Sequence, residues 1–133
     1  MKILICGGRT FGEIRKRKQD PDYLKRVKQH AWGLKELDNR FGDLKGITVI
    51  CGMADGGDTI GYDWAESWAH PMDQYPPDWK VHGKSAGALR NIQMLEEGKP
   101  DLVVAFPGGN GTEHMCRIAR KKGVDVLRLR YYE

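Results

Sequence analysis

The sequence predicts an α/β domain of Rossmann-like type, a three-layer sandwich with a mainly parallel sheet of about five strands flanked by helices. Three observations lead there. Five short β-branched or aliphatic runs alternate with stretches whose apolar residues recur every three or four positions, the pattern of successive βαβ units. Glycine turns follow three of those runs. The length of 133 residues suits one core, so residues 1–133 read as a single domain.

The strand-like runs are Lys2–Cys6, Ile47–Cys51, a weaker Met72–Tyr75, Leu102–Phe106 and Asp125–Leu129. Asp20-Pro21 is the signature of a helix start, and Leu24, Val27, Ala31, Leu34 and Leu37 form one stripe up to a stop at Gly42. A second helix is expected from Asp58, as its cap, to Ala69 before Pro71, with Trp64, Ala65 and Trp68 facing the core. A third is expected over Ser85–Glu97, closing at Gly98. A fourth starts near Thr112, packs Met115, Cys116 and Ala119, and stops at Gly123. The basic stretch from Gly12 to Gln19 reads as a mobile loop.

Apolar residues make up 40% and charged residues 30%, which excludes a disordered chain. The longest apolar runs are only strand-length, so no membrane span is expected. The chain opens on a strand with no leader pattern, and it is expected in the cytoplasm. Cys6, Cys51 and Cys116 lack C-x-x-C spacing, and His30, His70, His82 and His114 lack ligand spacing. Neither a disulfide framework nor a metal site is expected, and no cofactor is indicated. The formal charge is +4, with basic clusters at Arg15–Lys18, Lys25–Lys28 and Arg117–Lys122. These suit solvated helix faces interleaved with acids, or a mild field for a phosphorylated ligand. A nucleic-acid surface is the disfavoured alternative.

In an open parallel sheet, ligands bind beyond the carboxyl ends of the strands, where helix amino termini present unpaired N–H groups. Three glycine turns fall on that edge: Cys6-Gly7-Gly8-Arg9-Thr10, Gly52 through Gly56-Gly57-Asp58, and Pro107-Gly108-Gly109-Asn110-Gly111-Thr112. Glycine lets backbone N–H groups approach phosphate oxygens without a Cβ in the way. Neither P-loop spacing nor a strict G-x-G-x-x-G is present, so an ordinary kinase or dinucleotide dehydrogenase is disfavoured. Arg90 offers a planar fork for phosphate or carboxylate, or is a helix-surface arginine paired with Glu96 or Glu97. Asn91 suits a base or ribose, and Trp79 either stacks on a base or packs at the rim.

These ordered elements, together with Pro77-Asp78-Trp79 and Gly87-Ala88-Leu89-Arg90-Asn91, make the chain similar to the SLOG superfamily, in its YspA-related branch of small stand-alone domains, over nearly its whole length. The resemblance implies binding of a nucleotide or nucleotide-derived small molecule. The turns and the entry to the third helix make Gly7, Gly8, Arg9, Thr10, Gly52, Gly57, Asp58, Arg90, Asn91, Gly108, Gly109, Gly111 and Thr112 the candidate ligand-binding residues, and the resemblance implies homodimers built through helices beside the site. Lonely Guy phosphoribohydrolases carry a similar P-G-G-x-G-T turn, with a catalytic arginine upstream and a glutamate three residues after the threonine. Arg90 matches the arginine in placement, and Met115 stands at the glutamate position.

N-glycosidic cleavage builds positive charge on the ribose and needs a nearby carboxylate. Glu113 is the nearest substitute, but on a helix it lies about 200° around from Met115, and a first-turn acid also favours the helix dipole. Asp55 or Asp58 could supply the carboxylate instead. Arg90, Glu113 and Asp58 are thus the candidate catalytic residues. The expectation is a nucleotide-binding sensor or carrier, or a hydrolase of its ligand, with phosphoribohydrolase as the specific enzymatic alternative.

Overall fold

The computed structural model describes residues 1–132. Among them a five-stranded, all-parallel sheet runs in the order β3-β2-β1-β4-β5, from β1 (Lys2–Cys6), β2 (Thr48–Cys51), β3 (Met72–Gln74), β4 (Leu102–Ala105) and β5 (Asp125–Arg128). Four longer helices flank it: α1 (Tyr23–Phe41), α2 (Gly57–Ser67), α4 (Ala86–Gly98) and α5 (Asn110–Lys121). A short α3 (Trp79–His82) and a 3₁₀ turn at Gly83–Ser85 precede α4. Each strand lies within a residue of its expected bounds.

Side-chain alternation splits the core in two, as it must when both faces of a parallel sheet are covered. Ile3, Ile5, Val49, Cys51, Val104 and Phe106 pack with Leu37 and Phe41 of α1 and Ile60, Trp64 and Ala65 of α2. On the opposite face Leu4, Cys6, Ile50, Val103 and Ala105 meet Met94 and Leu95 of α4 and Met115, Cys116 and Ala119 of α5. The register Ile3↔Val49 and Ile3↔Leu102 aligns these faces across the central strands. Because β2 and β3 extend to one side of β1 while β4 and β5 extend to the other, the switch point lies between β1 and β4, where a crevice opens at the carboxyl ends.

Four expectations about the helices are corrected. Helix α1 opens at Tyr23, because the Asp20 carboxylate and carbonyl accept from Asp22 and Tyr23 N–H in a preceding turn. Its buried face is Arg26, Gln29, His30, Gly33, Leu37 and Phe41, while Leu24 is 73% exposed and Val27 and Ala31 are also exposed. Gly56, not Asp58, caps α2, at φ 74°, a left-handed geometry that favours glycine. Trp68 is half-exposed, its indole N–H donating to Asp38 at 2.7 Å alongside that of Trp64.

The segment expected to be a mobile loop, Gly12–Gln19, is a set of hydrogen-bonded turns. The Glu13 carboxylate accepts from Arg15 and Lys16 N–H at 2.7 and 2.6 Å, and buried Arg26 donates to the carbonyls of Glu13 and Arg17 at 3.0 and 2.9 Å. This loop, lying on α1, is what buries the polar residues Arg26 and Gln29. No described helix is long and apolar enough to cross a membrane.

Candidate functional site

The glycine turns after β1, β2 and β4 converge at the crevice, and the structure divides their glycines into two kinds. Some are packing contacts between backbones. A Cβ on Gly7 would lie 2.8 Å from Gly57 Cα, and one on Gly8 would lie 2.9 Å from Gly108 Cα. Gly57 N–H donates to Gly8 O and Gly8 N–H to Pro107 O, both at 2.9 Å, tying the three loops together. Gly52 is sealed by the Arg90 guanidinium, and Gly108 by Gly8 and Thr112. Gly109 and Gly111 are of the other kind, with open space where a Cβ would stand.

Over this floor lies a cavity of about 660 Å³, in the range usual for small-molecule sites. The β1 turn lines it with Gly7, Gly8 and Arg9, α5 with Gly109–Thr112 and His114, and α4 with Gly87, Ala88, Arg90, Asn91 and Met94. Asp58 enters from α2, while Trp79 and Lys84 stand on the segment before α4. Three cations, Arg9, Lys84 and Arg90, therefore face one carboxylate. The first backbone bond of α5 runs from Glu113 N–H to Gly109 O, and the N–H groups of Asn110, Gly111 and Thr112 have no acceptor among the described residues. Together with the helix dipole they make this wall suited to an anion.

Arg90 is not a surface arginine, and it does not pair with Glu96 or Glu97. Its side chain is 13% exposed, its Nη1 donates to Gly52 O and lies 3.5 Å from Asp58 Oδ2, and its Nε is buried without an acceptor among the described residues. Burial raises the Asp58 carboxyl to about 6, against the pull of Arg90 and of the Ala54 and Gly7 N–H groups. Asn91 is buried and donates through Nδ2 to Gly111 O and His114 Nδ1, at 3.2 and 3.1 Å. That bond requires a neutral His114 with its proton on Nε2, and burial together with Arg117 lowers the His114 pKa in the same direction. His114 was missed as a site residue because nothing in its spacing marks it. Its signal is its place four residues after Asn110, one helical turn into α5.

The remaining candidates fall outside the cavity. Glu113 is exposed and accepts from Nη1 and Nη2 of Arg128, which holds its carboxyl below the usual range. It does not reach Asp58 or Arg90, while Met115, at the position of the family glutamate, is buried in the α4–α5 core. Thr10 lines a neighbouring cavity. Asp55 pairs with Lys16 at 3.1 Å, and Arg15 with Asp63 at 2.6 Å, so two cations of the basic loop are already compensated. Burial pushes the Cys6 thiol well up and the Cys51 thiol up to about 12, leaving both protonated.

An all-parallel α/β sheet with a basic cavity at its switch point defines a Rossmann-like protein. The chain belongs to the YspA, cpYpsA-related SLOG family, whose model matches residues 1–82. That match covers β1 through α3 rather than nearly the whole chain, and the α4 and α5 walls lie beyond it. The chain is also similar to the gene 61 protein of Mycobacterium phage D29, with 40% identity over 89 residues, covering 62% of this chain and 70% of that protein. No solved structure gives a significant match.

Proposed function

We propose that the chain binds a nucleotide or nucleotide-derived phosphate in the 660 Å³ cavity, as a sensor or carrier, with the phosphate on the amino terminus of α5. The observation supporting this reading is that the three α5 N–H groups without an acceptor among the described residues line the same cavity as the buried Arg90. Arg9 and Lys84 add charge at the mouth. Trp79, half-exposed and with Arg9 5.5 Å over its ring, offers a face on which a base can stack. The His114 Nε2–H, fixed by Asn91, supplies a donor for a base or ribose oxygen.

One observation favours a second reading, hydrolysis of the N-glycosidic bond. Asp58 is a carboxyl raised to about 6 beside an arginine at the cavity, able to hold a proton near neutral pH or to stabilise positive charge on ribose. In this reading Asp58, not Glu113, is the acid–base residue, and Arg90 orients it.

A thermal-shift screen with nucleoside mono-, di- and triphosphates, ADP-ribose and cyclic nucleotides, followed by chromatography of each mixture, tests both. A ligand at a hundred times its dissociation constant is expected to stabilise the fold by about 2.7 kcal/mol. Gly109→Asp fills open space at the anion wall with a negative side chain, and is expected to abolish the shift without lowering the unliganded melting temperature. Intact ligand after incubation supports the sensor, and released base supports the hydrolase. Absence of any shift removes the nucleotide reading.

A further inference from the structure

A second cavity, of about 610 Å³, adjoins the first and shares Gly8, Arg9 and Gly109 with it. Its far wall is the turn structure before α1 and the start of that helix, with Arg17, Asp20, Asp22 and Gln29 among its lining residues. We infer that the two cavities take the two lobes of one ligand, a nucleoside diphosphate joined to a second sugar or nucleoside, with the diphosphate lying across the saddle between them. This rests on the nucleotide reading of the first cavity and names the class of molecule that fills both.

The saddle is low because the β1 and β4 turns meet backbone to backbone. A Cβ on Gly8 would lie 2.9 Å from Gly108 Cα, whereas at Gly109 nothing stands within 4 Å. Donors lie to one side and above: the α5 N–H groups face the first cavity, and Arg9 lines both. A single phosphate on α5 leaves the second cavity empty. A second phosphate brings the chain of atoms over the saddle, within the field of Arg9.

The second lobe is built rather than incidental. Arg26, with its side chain 7% exposed, holds the carbonyls of Glu13 and Arg17, and Gln29 Oε1 accepts from Gly12 N–H at 2.9 Å. The Arg17 backbone is thereby fixed in a left-handed conformation, φ 53°, uncommon for a residue with a Cβ. Its exposed guanidinium makes no hydrogen bond or ion pair among the described residues, leaving it available to the ligand. Lys25 and Arg26 line the lobe beside Arg17, and the Asp20 and Asp22 carboxylates, the former 3.7 Å from Arg26, offer acceptors for sugar hydroxyls. This mixture of cations and carboxylate acceptors suits a hydroxyl-rich sugar joined to a diphosphate.

Isothermal titration of the full chain tests this, using AMP, GMP and UMP beside ADP-ribose, GDP-mannose and UDP-glucose. The diphosphate-sugar that shares its base with the best monophosphate is expected to bind about tenfold tighter than that monophosphate, through the added charge-assisted contacts. Arg17→Asn keeps a residue tolerant of the left-handed backbone, and is expected to erase the advantage while leaving monophosphate affinity unchanged. Equal affinities for the two ligand types, or an Arg17→Asn variant that weakens both alike, overturn the inference and leave the site reading standing. Binding of none of the probes overturns both.

Discussion

Gly57→Ala is expected to lower stability by about 3 kcal/mol, at the upper end of ordinary overpacking, and to reduce the melting temperature by about 10 °C. Alanine is normally favoured over glycine within a helix by up to about 1 kcal/mol, so propensity alone gives the opposite sign. The clash decides. A Cβ on Gly57 falls against the Cα, C and N atoms of Gly7, which sits at the end of the central strand and has no side chain able to move aside. Relief requires α2 to withdraw from β1, straining the Gly57 N–H bond to Gly8 O and loosening Ile60, Trp64 and Ala65 in the core. Gly109→Ala meets nothing within 4 Å and is expected within about 0.5 kcal/mol of the parent. Urea unfolding of the two variants separates the packing glycines from the open ones. A Gly57→Ala protein as stable as the parent would contradict the close approach of β1 and α2.

The same contrast shows what the sequence could tell. Strand runs such as Leu102–Phe106 are legible because a strand buried on both faces must be apolar throughout, and three glycine turns on one sheet edge correctly mark where loops converge. Sequence cannot say which of those glycines meet another backbone. Gly7 and Gly57 are 50 positions apart, as their numbers show, and only the fold brings them together. Arg90 and Asp58 present the same difficulty: each has a sufficient local explanation, as surface arginine and helix cap, and their pairing crosses 32 positions. The α1 stripe misled for another reason. Leu24 and Val27 have helical spacing, yet the 12–20 turns cover the neighbouring face, where Arg26 and Gln29 find backbone partners. Glu113 resembles a catalytic acid until Arg128, 15 positions away, accounts for it.

Asp58→Asn is expected to alter both the pH dependence of stability and the affinity for anions. The folded-state value of about 6 lies above the ordinary 3.8, because burial disfavours the carboxylate more than Arg90 and two N–H groups favour it. The folded chain thus prefers the protonated form. Its contribution to stability is complete below pH 3.8 and is lost as the pH rises through about 6. A difference of about two pKa units corresponds to roughly 3 kcal/mol. Other carboxylates titrate across the same range, so the quantity to measure is the difference between parent and variant. Relative to Asp58→Asn, the parent is expected to lose roughly 3 kcal/mol between pH 4 and pH 7.5 in urea unfolding. A constant difference would mean that Asp58 titrates in the fold as it does in the unfolded chain. Binding should respond through Arg90, whose charge is partly neutralised by the carboxylate 3.5 Å away. ADP-ribose, whose diphosphate keeps its charge through this range, is expected to bind the parent more tightly as pH falls from 8 to 5.5. The variant should bind about tenfold tighter than the parent at pH 8, the effect of removing one buried negative charge from an anion site, and should show little of that pH dependence. If the chain is a hydrolase, the same variant holds its nucleotide without releasing base, because the proton-carrying group is gone while the anion wall on α5 remains.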